Sequence, residues 1–229
     1  MKVSVIIPTL NEADSITRTI ETIGSDAEVI VVDGGSTDST VDRALSLGVR
    51  IIRSKAGRGL QMDSGARSAT GDLLLFLHAD TLLPEGWSES IEQALENEEV
   101  VAGGFSLSID STLAHFRLVE YFTNLRSRSL GLIYGDQAIF ARRDPFFEAG
   151  GFGKLPLMED VNCVKKLSGL GRVVTLNESV LTSPRRWKNG GVVKNTLKNW
   201  LLLALYRAGV SPKRLYRWYY NQPATSGQE

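Results

Sequence analysis

The chain has 229 residues, 42% of them hydrophobic and 23% charged, with 26 acidic and 26 basic groups. That is enough for one sizeable core, and the composition is that of a soluble globular protein rather than a fibrous or disordered one. The single cysteine, Cys163, excludes an internal disulfide and fits a reduced, cytoplasmic setting.

Met1-Lys2 runs straight into a β-like segment, so no signal peptide is expected. Val3–Ile7 reads as the first strand and leads into Pro8-Thr9-Leu10-Asn11-Glu12. Asn11 is placed to cap a helix through about Ile23. A second strand, Val29–Val32, leads into Asp33-Gly34-Gly35-Ser36-Thr37-Asp38 and a helix to about Leu47. Val49–Arg53 is a third strand, followed by a helix over Leu60–Ser68. The fourth strand, about 72–78, ends in His78-Ala79-Asp80, and Pro84 suits the first turn of a helix to about Glu96. Repeated βα units imply a mainly parallel sheet flanked by helices.

Beyond residue 100 the alternation loosens. Val100–Ile109 reads as a strand interrupted at Gly103-Gly104, 112–129 as a helix and Ile133–Ala141 as a strand. Glu159–Ser168 reads as a helix, Val173–Leu176 as a short strand, and 191–208 and 212–220 as two closing helices. The expected organisation is one α/β domain over 1–190, basic amphipathic helices over 191–222 packed on it, and a disordered tail over 223–229.

If the first, second and fourth strands are parallel neighbours, their polar clusters emerge at one sheet edge, where open α/β folds bind ligands. Asp33 can accept a hydrogen bond from a pyrimidine N–H, with Gly34 and Gly35 admitting close approach; ordinary Asp-Gly turn chemistry explains it equally. Asp80 ends an apolar strand and can hold Mg2+ or Mn2+ against diphosphate oxygens, or cap the following helix. His78 reads as a second ligand, a hydrogen-bond partner or a buried strand residue. Glu159-Asp160 either complements a helix dipole or contains a general base. Asp136 and Gln137 either position an acceptor beside that base or cap a strand. Arg185-Arg186-Trp187 can neutralise a departing diphosphate or form one more surface basic patch. Arg58 and Gln61 either touch phosphate or decorate a helix. There is no G-x-x-x-x-G-K-[ST] string, no glycine fingerprint after the first strand and no Cys/His pair with zinc spacing.

In order, IIPTLNE (6–12), VDGGSTDST (32–40), HAD (78–80), MED (158–160) and RRW (185–187) resemble a family-2 glycosyltransferase with the GT-A fold. The resemblance spans about residues 1–190. GDQAIFARR (135–143) followed by GGF (151–153) resembles a small bacterial subgroup of radical-SAM/selenobiology-associated transferases, with similarity also to carotenoid-acid glycosyltransferases. The resemblance implies a nucleotide-sugar donor, most often a UDP-sugar, and a Mg2+ or Mn2+ cofactor. It implies that Pro8, Thr9, Glu12 and Asp33 hold the nucleoside, with Arg58, Gln61, Ala79, Asp80, Arg185, Arg186 and Trp187 completing the donor site. Asp80 matches the last acid of the D-x-D metal motif, and His78 replaces the first. Asp160 matches the catalytic base of inverting members, with Asp136, Gln137 and Glu159 on the acceptor side. The Q-x-x-R-W string of processive members is incomplete here, which argues against processive synthesis. The implied acceptor offers a hydroxyl or carboxyl group and is lipid-like in one reading. The rivals are a nucleotidyltransferase, which would show a glycine-rich phosphate loop, and a non-catalytic sugar-nucleotide-binding protein.

From Ser179 to Gln228 there is no acid and there are nine basic residues, with three of the four tryptophans, Trp187, Trp200 and Trp218. Trp200–Tyr206 is too short to span a bilayer, which needs about 20 apolar residues. With its flanking cations it suits a peripheral place on an anionic membrane, or else packing on the domain or in a homodimer. No nucleic-acid module accompanies it.

Overall fold

The computed structural model describes residues 1–25, 27–185 and 191–220. The expected tail over 223–229 lies outside the described residues. Eight strands form one sheet: β1 (Val3–Thr9), β2 (Glu28–Asp33), β3 (Arg50–Arg53), β4 (Leu73–Phe76), β5 (Thr81–Leu82), β6 (Val100–Ile109), β7 (Ile139–Arg142) and β8 (Arg172–Thr182). The order is β3-β2-β1-β4-β7-β6-β8-β5. β1 through β4 are mutually parallel, β7 is antiparallel to both its neighbours, and β8 runs parallel to β6. The fold is the expected mixed, mainly parallel α/β sheet. Strand order reverses between β1 and β4, which makes their carboxyl ends the switch point where such sheets bind ligands.

The helices are α1 (Ile16–Glu21), α2 (Thr40–Ser46), α3 (Arg58–Ser68), α4 (Trp87–Leu95), α5 (Ala114–Leu130), α6 (Arg143–Glu148), α7 (Glu159–Leu167), α8 (Val192–Arg207) and α9 (Pro212–Tyr220). Both sheet faces are covered, so the central strands are apolar on both sides. Val5, Ile7 and Leu75 face Ile16 and Ile20 of α1 and Trp87 and Ile91 of α4. Ile6, Ile30, Val32 and Phe76 face Met62 and Ala66 of α3 and Val164 and Leu167 of α7. Gly65 lets α3 lie flat on the sheet, since a Cβ there would stand 2.4 Å from Ile6.

Several boundaries differ from the sequence reading. α1 begins at Ile16 rather than beside Asn11, because Asn11 is left-handed at φ 56°. β6 runs on through Gly103 and Gly104, and the irregularity expected there is a register shift against β8 between Gly104 and Ser106; a Cβ on Gly103 would stand 2.4 Å from Phe140 and 2.5 Å from the Val174 carbonyl. β7 starts only at Ile139, after a 3-10 turn over Gly135–Gln137. β8 extends from Arg172 to Thr182 because it pairs with β6 along most of its length and with β5 at its end. β5 and α6 add two short elements.

Candidate active site

The first two sequence clusters are laced into one platform. Thr9 and Asp33 are register partners at the ends of β1 and β2. Beyond them the loops exchange hydrogen bonds. The N–H groups of Asn11, Glu12 and Ala13 donate to Ser36 Oγ (2.9 Å), Thr40 Oγ1 (2.8 Å) and Asp38 Oδ2 (3.2 Å), while Asn11 Oδ1 accepts from Thr37 N–H at 2.9 Å. The serines, threonines and Asp38 of VDGGSTDST therefore satisfy the entry to α1. The Asp33 carboxylate is buried and accepts from the N–H groups of Gly35 (3.0 Å) and Ser36 (3.1 Å), the turn chemistry its sequence allowed. A carboxylate has about four acceptor positions, so room for a donor N–H remains.

Gln61 completes the platform. Its buried Nε2 donates to the carbonyls of Thr9 and Val32, both at 2.8 Å, and its Oε1 accepts from Gly57 N–H at 3.3 Å. The amide ties the ends of β1 and β2 to the start of α3. Gln61 borders the cleft, but its polar atoms serve the scaffold.

Two hollows adjoin at this edge. The first, of about 400 Å³, is lined by Pro8, Thr9, Glu12, Arg58, Gln61, His78, Ala79 and Asp80, with Leu155–Leu157, Glu159 and two tyrosines of α9, Tyr216 and Tyr220. The second, of about 390 Å³, is lined by Tyr134, Gly135, Asp136, Met158 and Asp160, and closed by Asn195, Asn199 and Leu202 of α8 and Tyr219 of α9. Arg58, His78, Leu157, Glu159 and Tyr220 line both and form the divide. A larger hollow of about 610 Å³ lies between Met1 and Trp87, at the amino end of β1, and meets none of these groups.

Asp160 sits in the first turn of α7. Its Oδ1 accepts from Val161 N–H at 2.7 Å and its Oδ2 from Gly135 N–H at 2.8 Å, which fixes the carboxylate's direction. Gly135 is the point where HAD and MED converge: a Cβ there would stand 2.8 Å from His78 Nε2 and 3.5 Å from Asp160 Oδ2. Met158, just before α7, holds a left-handed φ of 64°, a local strain of the kind that gathers at functional sites. Burial pushes the Tyr134 phenol up to about 12, so it faces the second hollow as a neutral O–H; the Arg126 guanidinium stacks 3.6 Å over its ring.

Arg185 spans the first hollow's acids. Its Nη2 pairs with Glu12 Oε2 and lies 3.3 Å from Asp80 Oδ2. Arg58 Nη1 lies 3.7 Å from Glu159 Oε1, and that ion pair belongs to the divide. Asp80 is the acid at the mouth of β4. No cluster of three metal-binding side chains occurs among the described residues. One carboxylate completed by substrate phosphates and water is a normal magnesium arrangement, and Asp80 is a mostly buried carboxylate at the cleft, paired at 3.3 Å with the Arg185 guanidinium. The residues therefore fit Mg2+ or Mn2+ held jointly with a diphosphate.

The fold brings Pro8, Thr9, Glu12, Arg58, Gln61, Ala79, Asp80, Asp136, Glu159 and Asp160 to the two hollows, with Arg185 across Asp80 and Asp33 in the turn behind them. Gln137 is not among them, which corrects its acceptor-side expectation. It is fully buried, donating to the Phe105 carbonyl (2.9 Å) and Ser127 Oγ (3.2 Å) and accepting from Tyr134 N–H and Arg126 (3.3 Å each). Arg186 and Trp187 lie outside the described residues. The sequence reading missed Tyr134, Asn195, Asn199, Tyr219 and Tyr220, which no short motif marks.

The model of the family described as glycosyl transferase family 2 matches residues 4–150. The chain belongs to that family. A glucosyl-3-phosphoglycerate synthase of Mycolicibacterium smegmatis is 33% identical over 97 residues, covering 36% of this chain and 32% of that protein. The chain matches about a third of the length of the first such relatives. Among solved structures, a mannosyltransferase from Pyrobaculum calidifontis in complex with GDP-Man and Mn2+ superposes with TM-score 0.64 at 21% identity, over 79% of this chain and 56% of the other. The Mycobacterium tuberculosis glucosyl-3-phosphoglycerate synthase, in complex with Mn2+, UDP-glucose and phosphoglyceric acid, superposes with TM-score 0.57 at 21% identity, over 78% and 70%. These likenesses establish the GT-A fold.

Proposed function

We propose that this chain transfers a sugar from a nucleotide-sugar donor to an acceptor hydroxyl or carboxyl group by a single inverting displacement, one residue at a time. The observation that carries the reading is the pair of adjoining hollows, one bearing the platform and Asp80, the other bearing Asp160. The first suits the donor. Pro8, Thr9, Glu12 and Asp33 border the nucleoside, and Asp80 and Arg185 lie where its diphosphate would emerge. UDP is the favoured nucleotide, since Asp33 at the end of β2 suits a pyrimidine N–H. Mg2+ or Mn2+ bound at Asp80 would neutralise diphosphate charge.

The second hollow suits the acceptor. Its lining offers Tyr134 O–H, Asn195 and Asn199 as hydrogen-bonding partners and Leu202 as an apolar wall. An acceptor O–H placed there can pass its proton to Asp160, whose orientation is fixed by two N–H donors. The acceptor oxygen then forms a bond to the anomeric carbon as the bond to the diphosphate breaks. Arg185 and Arg58 carry positive charge toward the leaving group. One displacement inverts the anomeric configuration.

The reading is tested by calorimetric titration of UDP- and GDP-sugars with and without Mn2+. Wild type should bind one donor in a Mn2+-dependent way, and Asp80→Ala should lose the metal dependence. Equal donor binding by both proteins under both conditions would remove Asp80 from the donor site.

A further inference from the structure

The outer face of the C-terminal helices has no part in the cleft. On α5, Leu118, Tyr121, Phe122 and Leu125 are each between 41% and 60% exposed, and their spacing puts them on one face. α8 abuts that face, with the Phe122 and Trp200 rings edge-to-face at 6.0 Å. Trp200 and Leu201 are themselves 50% and 48% exposed, and the exposed Ala204 and Ala208 continue the strip. The inward side of α8 supplies Asn195, Asn199 and Leu202 to the second hollow. α8 thus has one face for the cleft and another, apolar and open to solvent.

The helices that form and flank this ledge carry a net positive charge. α5, α8 and α9 together carry nine lysines and arginines and one acid, Glu120. Glu120 is turned inward, accepting from Ile109 N–H at 2.6 Å and pairing with Arg117 at 3.0 Å. Arg117 and Arg207 are exposed at the ledge's margins.

We propose that the α5–α8 ledge docks this protein on an anionic lipid surface. Aliphatic and aromatic side chains with exposed Arg117 and Arg207 at their margins suit the boundary between headgroups and acyl chains, where Trp and Tyr are favoured. A second copy fits less well. A closed dimer brings the same patch of both subunits together, and here that would set one basic surface against another. No helix among the described residues is long and apolar enough to cross a membrane, so the contact is peripheral. The inference goes beyond the transfer reading and does not depend on it.

The test is sedimentation of the full chain with phosphatidylcholine vesicles, with and without phosphatidylglycerol, at low and high salt. Partitioning onto the anionic vesicles should exceed that onto neutral ones by at least about tenfold and fall as salt rises. Leu118→Asp with Leu201→Asp, both at exposed positions outside the cleft, should weaken it by at least about tenfold without changing the melting temperature. Arg207→Gln should weaken it about fivefold. Equal partitioning onto both vesicle types, or unchanged partitioning of the double variant, would overturn the proposal. So would a dimer in sedimentation velocity that the double variant abolishes while neither protein binds vesicles. Binding to an acidic polypeptide but to no vesicle would overturn it as well.

Discussion

Gln61→Leu separates a scaffold role from a phosphate-contact role. Leucine nearly matches glutamine in volume, so the substitution opens little cavity and isolates the amide's contribution. Three hydrogen bonds are lost: two buried ones donated by Nε2 at 2.8 Å and a partly buried one accepted by Oε1 at 3.3 Å. At about 1 kcal/mol net each, the loss is about 3 kcal/mol. The Thr9 carbonyl keeps the Gly34 N–H at 2.9 Å, so no full orphan penalty is added there. For a chain of this length that corresponds to a fall in melting temperature of about 6–12 °C. Urea denaturation followed by far-ultraviolet circular dichroism should show a lower midpoint with an unchanged slope. Donor affinity should weaken too, because the β1 and β2 loops lose their common tie. A midpoint equal to that of wild type, with donor affinity alone reduced, would refute the scaffold role and restore the phosphate contact.

Gly135→Ala should reduce acceptor-dependent turnover by at least about tenfold, and by more than it weakens donor binding, because its Cβ would crowd the Asp160 carboxylate as well as buried His78 of the divide. Parallel kinetic and calorimetric measurements check this; an unchanged turnover contradicts it. Arg185→Gln removes the guanidinium that competes for Asp80, so Mn2+ affinity without nucleotide should rise severalfold by electron paramagnetic resonance, with stability changed by less than about 1 kcal/mol because the side chain is 45% exposed. An unchanged Mn2+ affinity would show that Arg185 does not guard that position. The Cys163 thiol is buried, and burial pushes it up to about 12. Ellman's reagent at mildly alkaline pH should leave it intact until denaturant is added, and rapid labelling of the native protein would contradict its place in the core.

Much of the platform was legible because it is local. Apolar runs end at Pro8, Asp33 and His78, and parallel pairing carries those ends to one edge. The hydroxyls of Ser36 and Thr40 were visible as turn and capping residues, although their partners, the N–H groups of Asn11 and Glu12, were not. The lining of the second hollow was not legible, because Asn195, Asn199 and Tyr219 reach it only through the tertiary placement of α8 and α9. Gln137 misled for a similar reason: a polar residue beside Asp136 reads as a site residue until four polar partners enclose it in the core. The length of β8 also escaped the sequence, since Asn177–Ser179 are polar and exposed; Asn177 and Glu178 lie in a register shift, and the strand resumes at Ser179 because β6 and then β5 supply partners.

The most direct measurement compares Asp160→Asn with wild type for donor binding and for acceptor-dependent release of nucleoside diphosphate. The account predicts matched donor affinity and a loss of release in the variant of about a hundredfold or more. Release at the wild-type rate, with donor binding equally intact, would contradict Asp160 as the base.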